Sequence, residues 1–221
     1  LVADAVSLES SAAAFLQGRE TEIILVTDLL CPTSLTLNAL KRFQPFNQTT
    51  GVLIREEVLS GTEELLQSGK ANLGIHSRIP PGCTGEVLID VEFLPVSHPQ
   101  HELQTLGRGL DIKDLARATQ IFIRDTGTGG DQLNDDLNYS PQRWTVSSRE
   151  TALEMLRHGF GFCWTPRHWI EEDLAAGRLC PLPLEPNEQR RIPLYLVFPS
   201  DKQIGPATRE LAACIRRENA G

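Results

Sequence analysis

No run of about 18 apolar residues occurs in the 221-residue chain, so no stretch reads as a membrane-spanning helix. The first residues also lack the basic-then-apolar pattern of a secretory signal, which leads to the expectation of a soluble, cytoplasmic protein without a membrane partner. The five cysteines (31, 83, 163, 180 and 214) are odd in number, scattered and without a CxxC pair, which fits neither a disulfide framework nor a zinc site. They are expected as reduced, mostly buried thiols. Basic charge is in deficit: the formal net charge is −8, against what gripping a phosphate backbone requires. A single methionine, Met155, and an opening Leu1 suggest a fragment or processed product.

Catalytic signatures are missing too. GTGG at 127–130 superficially resembles a phosphate loop, yet no GxSxG elbow or GxxxxGK[ST] sequence is present. His98 and His101 lie close together without the HExxH or carboxylate spacing of a metal centre. The expectation is a protein that is not an enzyme and holds neither cofactor nor metal.

What the chain does have is the composition of a globular protein, 40 % hydrophobic and 23 % charged, with enough length for one large domain or two small subdomains. Its clearest stretch is 145–183. Ser147 and Glu150 form a capping box, and Ala152, Leu153 and Leu156 recur at helical spacing until Gly159, which predicts a helix over 148–158. Phe160 to Trp164 reads as a short buried strand. Thr165 and Pro166 supply an N-cap and first-turn proline for a second helix carrying Trp169, Ile170 and Leu174, which Gly177 closes before 179–182 extend again.

The first half repeats the alternation. Strands are predicted at 22–27, 52–58 and 71–75, with helices between them after Pro32 and over 63–67. Further strands are expected at 91–96, 120–123 and 192–198, a short helix at 111–115, and a last helix from Pro206 to about Arg217. Strand–helix alternation means parallel pairing and an α/β class. In such sheets ligands sit beyond the carboxyl ends of the strands, where helix N-termini point. That singles out Asp28, Leu29, Leu30, Gly61, Thr62 and His76 in the first half. Residues 124–136, RDTGTGGDQLNDD, suit a binding loop built from backbone and small polar groups.

Three blocks resemble one family. The pattern SxxxALxxLxxGxGxxxxPxxxxxxDLAAGRLxPLP, the segment REEVLSGTEELLQSGKANLGI at 55–75, and VSHP at 96–99 are similar to the effector domain of LysR-type transcriptional regulators, covering about 22–218. This resemblance implies two Rossmann-like subdomains joined by two crossover strands, the type 2 periplasmic-binding-protein fold. Residues 1–21 would be the end of a linker helix and its junction, 22–95 with 199–221 subdomain I, and 96–198 subdomain II. It implies a small-molecule effector bound between the lobes, with Arg124, Asp125, Thr126, Ser147 and Ser148 contributed by the second. It also implies homodimers or homotetramers, RNA polymerase as a further partner, and DNA contact only through an N-terminal reader preceding this chain. Departures from the usual pattern are Asp28 in place of a small residue, Asn72 in place of aspartate, and Phe160 between the glycines.

Plainer roles compete at each position. Asp28 could cap the helix after Pro32, Thr62 could cap the helix at 63–67, and Ser147 is read as a cap whether or not it meets a ligand. Arg124 could pair with Asp125 or Asp131 at the surface, and His76 could be structural or exposed. Trp164, Trp169 and Phe162 are simplest as core. An extracytoplasmic solute-binding protein would share the layout, and a small enzyme on this fold is the remaining alternative.

Overall fold

The computed structural model describes residues 19–47, 49–128, 137–184, 190–200 and 204–218. The expected linker-helix end and the second half of the glycine-rich loop, 129–136, lie outside these residues. The chain divides into two compact units, one from the described residues up to Ile89 and from Pro193 onward, the other from Asp90 to Ile192. It passes between them within two long strands, Cys83–Ser97 and Arg190–Pro199.

In unit 1 the β-branched run after Thr21 forms β1 (Glu22–Asp28), whose Ile23, Leu25 and Val26 are fully buried. Burial of both faces follows from its central place. It pairs in parallel with β2 (Gly51–Glu57) on one side and with β3 (Leu73–His76) on the other. The strand β9 (Arg190–Pro199) joins β3 antiparallel, giving the order β2-β1-β3-β9. Asn72 continues the ladder: its Oδ1 accepts from the Ile24 N–H at 2.9 Å, and its own N–H donates to the Ile24 carbonyl at 2.8 Å. The acceptor is an oxygen that aspartate also carries, so the substitution noted in the sequence keeps the bond.

Helix α1 (Thr33–Phe43) follows β1 and packs on α7 (Pro206–Arg217). Gly205 offers no side chain to cap α7, and Glu20 does so instead, accepting from the N–H groups of Ala207 and Thr208 at 3.0 and 3.1 Å. Helix α2 (Ser60–Gln67) lays Leu65 and Leu66 on Val26, Ala71 and Val197. It comes so close over β3 that a Cβ on Gly74 would lie 3.0 Å from Leu66 and Val26 side-chain carbons.

In unit 2 the order is β4 (Cys83–Ser97), β7 (Phe162–Pro166), β5 (Gln120–Ile123), β6 (Arg143–Val146), with β8 (Cys180–Pro181) on the outer side of β4. The pairs β5–β6 and β5–β7 are parallel, and β4–β7 is antiparallel. Ala152, Leu153 and Leu156 of α5 (Arg149–Arg157) pack on Leu94, Val96, Ile121 and Cys163. Around Phe162, Leu103 of α3 (Glu102–Thr105) and Leu115 of α4 (Ile112–Leu115) form a second cluster. The α6 turn (Glu171–Ala175) carries Asp173, whose buried carboxylate is held by Arg157 at 3.0 and 2.7 Å and by Arg178 at 2.5 Å.

Several local expectations change. The cap of α5 is Ser148, whose Oγ accepts from the Thr151 N–H at 3.1 Å, one residue later than expected, and Ser147 is exposed. Thr165 and Pro166 belong to β7, because pairing with β4 extends to Phe93↔Pro166, and α6 begins at Glu171 without a side-chain cap. Strand β6 was not anticipated: only β5 flanks it in the sheet, and Trp144 and Thr145 are exposed, so its pattern carries little apolar signal.

Candidate functional site

At the carboxyl ends of β1 and β3, Asp28 and His76 stand side by side, 2 % and 0 % exposed. Their side chains share the face of Val26 and Gly74, two residues earlier on each strand. Leu66 covers that earlier pair, so the first turn of α2, one helical turn back along the same face, covers Asp28 and His76. Contacts confirm the placement: His76 Nδ1 lies 3.0 Å from Asp28 Oδ2 and His76 Nε2 lies 3.2 Å from Glu63 Oε1. A histidine between two carboxylates donates from both nitrogens only as imidazolium. Burial alone, the largest influence, would lower its pKa, but the bonds and charges of Asp28 and then Glu63 outweigh it and raise the value above the ordinary range.

Asp28 also shapes the chain beyond β1. Its Oδ1 accepts from the Leu30 N–H at 3.0 Å, its carbonyl accepts from Cys31 at 2.8 Å, and the Leu29 N–H reaches the Glu57 carbonyl at 2.9 Å. Asp28 therefore stabilises its own turn and does not cap α1, which has Pro32 at its cap and no side-chain bond there. Leu29 and Leu30 are half-buried in that turn. The nearby Cys31 thiol is pushed up to about 12, by burial first and then by the charges of Asp28 and Glu56, so it is not a thiolate nucleophile.

The entry to α2 is a tight turn in which the Gly61 N–H bonds the Val58 carbonyl at 3.2 Å. Leu59 takes its first central position with φ 48° and ψ −108°, the left-handed conformation of a type II′ turn that normally selects glycine. Gly61 and Thr62 follow, both buried, inside the helix. Thr62 is thus not the cap: its Oγ1 is buried and makes no hydrogen bond among the described residues. A buried hydroxyl without a partner costs about 1–3 kcal/mol, which a ligand bond would recover.

In unit 2 the expected residues gather at the carboxyl ends of β5 and β6. Arg124 is exposed, donates its backbone N–H to the Val146 carbonyl at 2.7 Å, and makes no ion pair among the described residues. Asp125, 4 % exposed, accepts from the Gly127 N–H at 3.0 Å and so shapes the start of the loop. Thr126 is exposed, and Ser148 is occupied as the α5 cap, with its hydroxyl 2.9 Å from that of Thr151. Trp164 is core, 5 % exposed, and Trp169 packs partly buried against the α5 side of the sheet. Glu63 was missed in the sequence. Its signal was an acidic side chain in the first turn of a helix that returns beside the strand ending at His76.

A family model, the LysR substrate binding domain, matches residues 17–220. The chain belongs to this family. Among relatives, the probable HTH-type transcriptional regulator YhaJ of Escherichia coli K12 is 28 % identical over 176 residues, covering 78 % of this chain and 59 % of that protein. This chain therefore spans about three fifths of the length of that relative. Its fold is similar to the effector-binding domain of QuiR in complex with shikimate, with a TM-score of 0.70 at 16 % identity, covering 91 % of this chain and 98 % of that one. It is similar also to full-length LysG of Corynebacterium glutamicum with bound effector Arg, with a TM-score of 0.68 at 17 % identity, covering 97 % and 74 %. As in these LysR regulatory domains, the fold is of the type 2 periplasmic-binding-protein kind. No described helix is long and apolar enough to cross a membrane, and no metal-binding group of three or more ligands occurs among the described residues.

Proposed function

We propose that this LysR-family chain is the sensing part of a cytoplasmic transcription regulator and that its small-molecule effector contacts Thr62 and Glu63, beside the buried Asp28–His76 pair. The observation carrying this reading is Thr62 Oγ1: a hydroxyl buried without a partner among the described residues, in the helix turn that covers a buried histidine and its two carboxylates. Effector binding changes transcription only through unequal affinity for two conformations, passed on through homodimers or homotetramers to a DNA reader outside this chain. The relatives named as HTH-type regulators support that assignment, and RNA polymerase is a further partner in the same scheme. The protein acts by binding, without catalysis.

The test is a thermal-shift screen of this chain with organic acids, aromatic acids, amino acids, amines and purines. One-site binding at a hundredfold excess over Kd stabilises by about 2.7 kcal/mol. A hit that Thr62→Val abolishes assigns the contact to unit 1, and one that Arg124→Ala or Ser148→Ala abolishes assigns a contact to unit 2. A hit indifferent to all three, or no hit, defeats the proposed site.

A further inference from the structure

We infer that the group recognised at this unit 1 site is a cation, an ammonium, amidinium or guanidinium, held by the Glu63 carboxylate and the Thr62 hydroxyl. The inference rests on the sensor reading above and adds the chemical class of its ligand.

Two independent features of α2 decide the sign of charge. A helix N-terminus ordinarily invites an anion through its free amide N–H groups. Here two of them are engaged: Gly61 donates to the Val58 carbonyl at 3.2 Å, and Thr62 donates to the Leu59 carbonyl at 3.1 Å. The tight turn at Leu59 thus engages two of the donors a carboxylate or phosphate would use. The second feature is the charge around the turn. The carboxyl groups of Asp28 and Glu63 both bond one imidazole, so acidic side chains outnumber basic ones there two to one, and among the described residues His76 is the only basic side chain paired with either.

The acceptors also differ in accessibility. Asp28 is closed, with one oxygen bonded to Leu30 and the other to His76, and a side chain 1 % exposed. Glu63 is the open member: its side chain is 22 % exposed, and only Oε1 is bonded to His76. A carboxylate has about four lone-pair sites, so Glu63 retains capacity for an N–H donor. Thr62, the residue before it, supplies the buried hydroxyl oxygen that lacks a bond. His76 cannot serve an anion, because both its nitrogens are engaged.

The experiment measures Kd by calorimetry for two panels: agmatine, putrescine, benzamidine, lysine and arginine, against succinate, shikimate and benzoate, which carry no cation. Proteins are the wild type, Thr62→Val and Glu63→Gln. Thr62→Val removes only an unbonded hydroxyl and is expected to fold as well as the wild type, so it tests the site even where Glu63→Gln weakens the fold. The expected result is binding from the cationic panel alone, weakened at least about tenfold in each variant, one such contact being worth about 1.4 kcal/mol. Binding of a cation-free acid that Thr62→Val weakens would overturn the charge inference and leave the sensor reading intact. Cation binding indifferent to both variants would overturn it as well. Silence from both panels would remove the inference and the proposed site together.

Discussion

His76 and Asp28 meet through Nδ1 and Oδ2 at 3.0 Å with side-chain exposures of 0 % and 1 %, so the ends of β3 and β1 are joined by a buried ion pair. Removing the imidazole leaves Asp28 and Glu63 facing each other without a counter-ion. His76→Ala is therefore expected to lower unfolding free energy by about 3–5 kcal/mol, read from urea midpoints at constant slope.

The same pair sets a pH dependence. Because folding raises the His76 pKa above 6.5, its contribution is fully present below that pH and is lost as pH rises through the raised value. Stability measured between about pH 6 and 9 should fall for the wild type, and the corresponding component should be missing in His76→Ala. A wild-type curve that rises over this range contradicts the charged-histidine assignment.

Asp173 runs the opposite way. Its pKa is lowered, first by the Arg157 bonds, against burial, and with help from Arg178. Its contribution is present above the ordinary carboxylate range and is lost as pH falls through the depressed value. Asp173→Ala would take the Asp173 carboxylate from the half-exposed Arg178 and leave Arg157 its bond to Glu154, and is expected to cost about 1–2 kcal/mol at neutral pH, with a smaller difference from wild type in acid.

The two glycines around Phe160 are needed for different reasons. Gly159 has φ 74°, whereas a Cβ on Gly161 would stand 2.2 Å from the Thr119 carbonyl oxygen. Gly159→Ala should cost about 1 kcal/mol from backbone strain. Gly161→Ala must part β7 from the start of β5 and should cost about 3 kcal/mol or more, seen as a much larger drop in Tm.

Leu59→Gly makes the reverse case. The substitution releases a left-handed leucine at the turn into α2 and is expected to stabilise by about 1 kcal/mol, after the entropy cost of glycine. If Leu59→Gly instead weakens ligand binding while raising Tm, the strain is helping to hold the first turn of α2 over His76.

Much of the fold was legible because apolar periodicity is local. The runs at β1 and β5 and the stripe of α5 announce their elements, since each buries one or both faces against a layer that the same pattern implies. What misled was equally local: Ser147 and Ser148 are adjacent and both able to cap, and only the backbone of the turn chooses between them. Strand β6 carried too few apolar residues to signal itself, and Thr165–Pro166 mimicked a helix start although β4 keeps them in a strand.

By itself the sequence determined the α/β class, the family blocks and the positions Asp28, Thr62 and His76 at strand and helix ends. Tertiary structure alone decided their chemistry. Glu63 lies 13 residues from His76 and Asp28 lies 48 residues from it, and a pKa or an unsatisfied hydroxyl depends on which groups those chain crossings bring within about 3 Å.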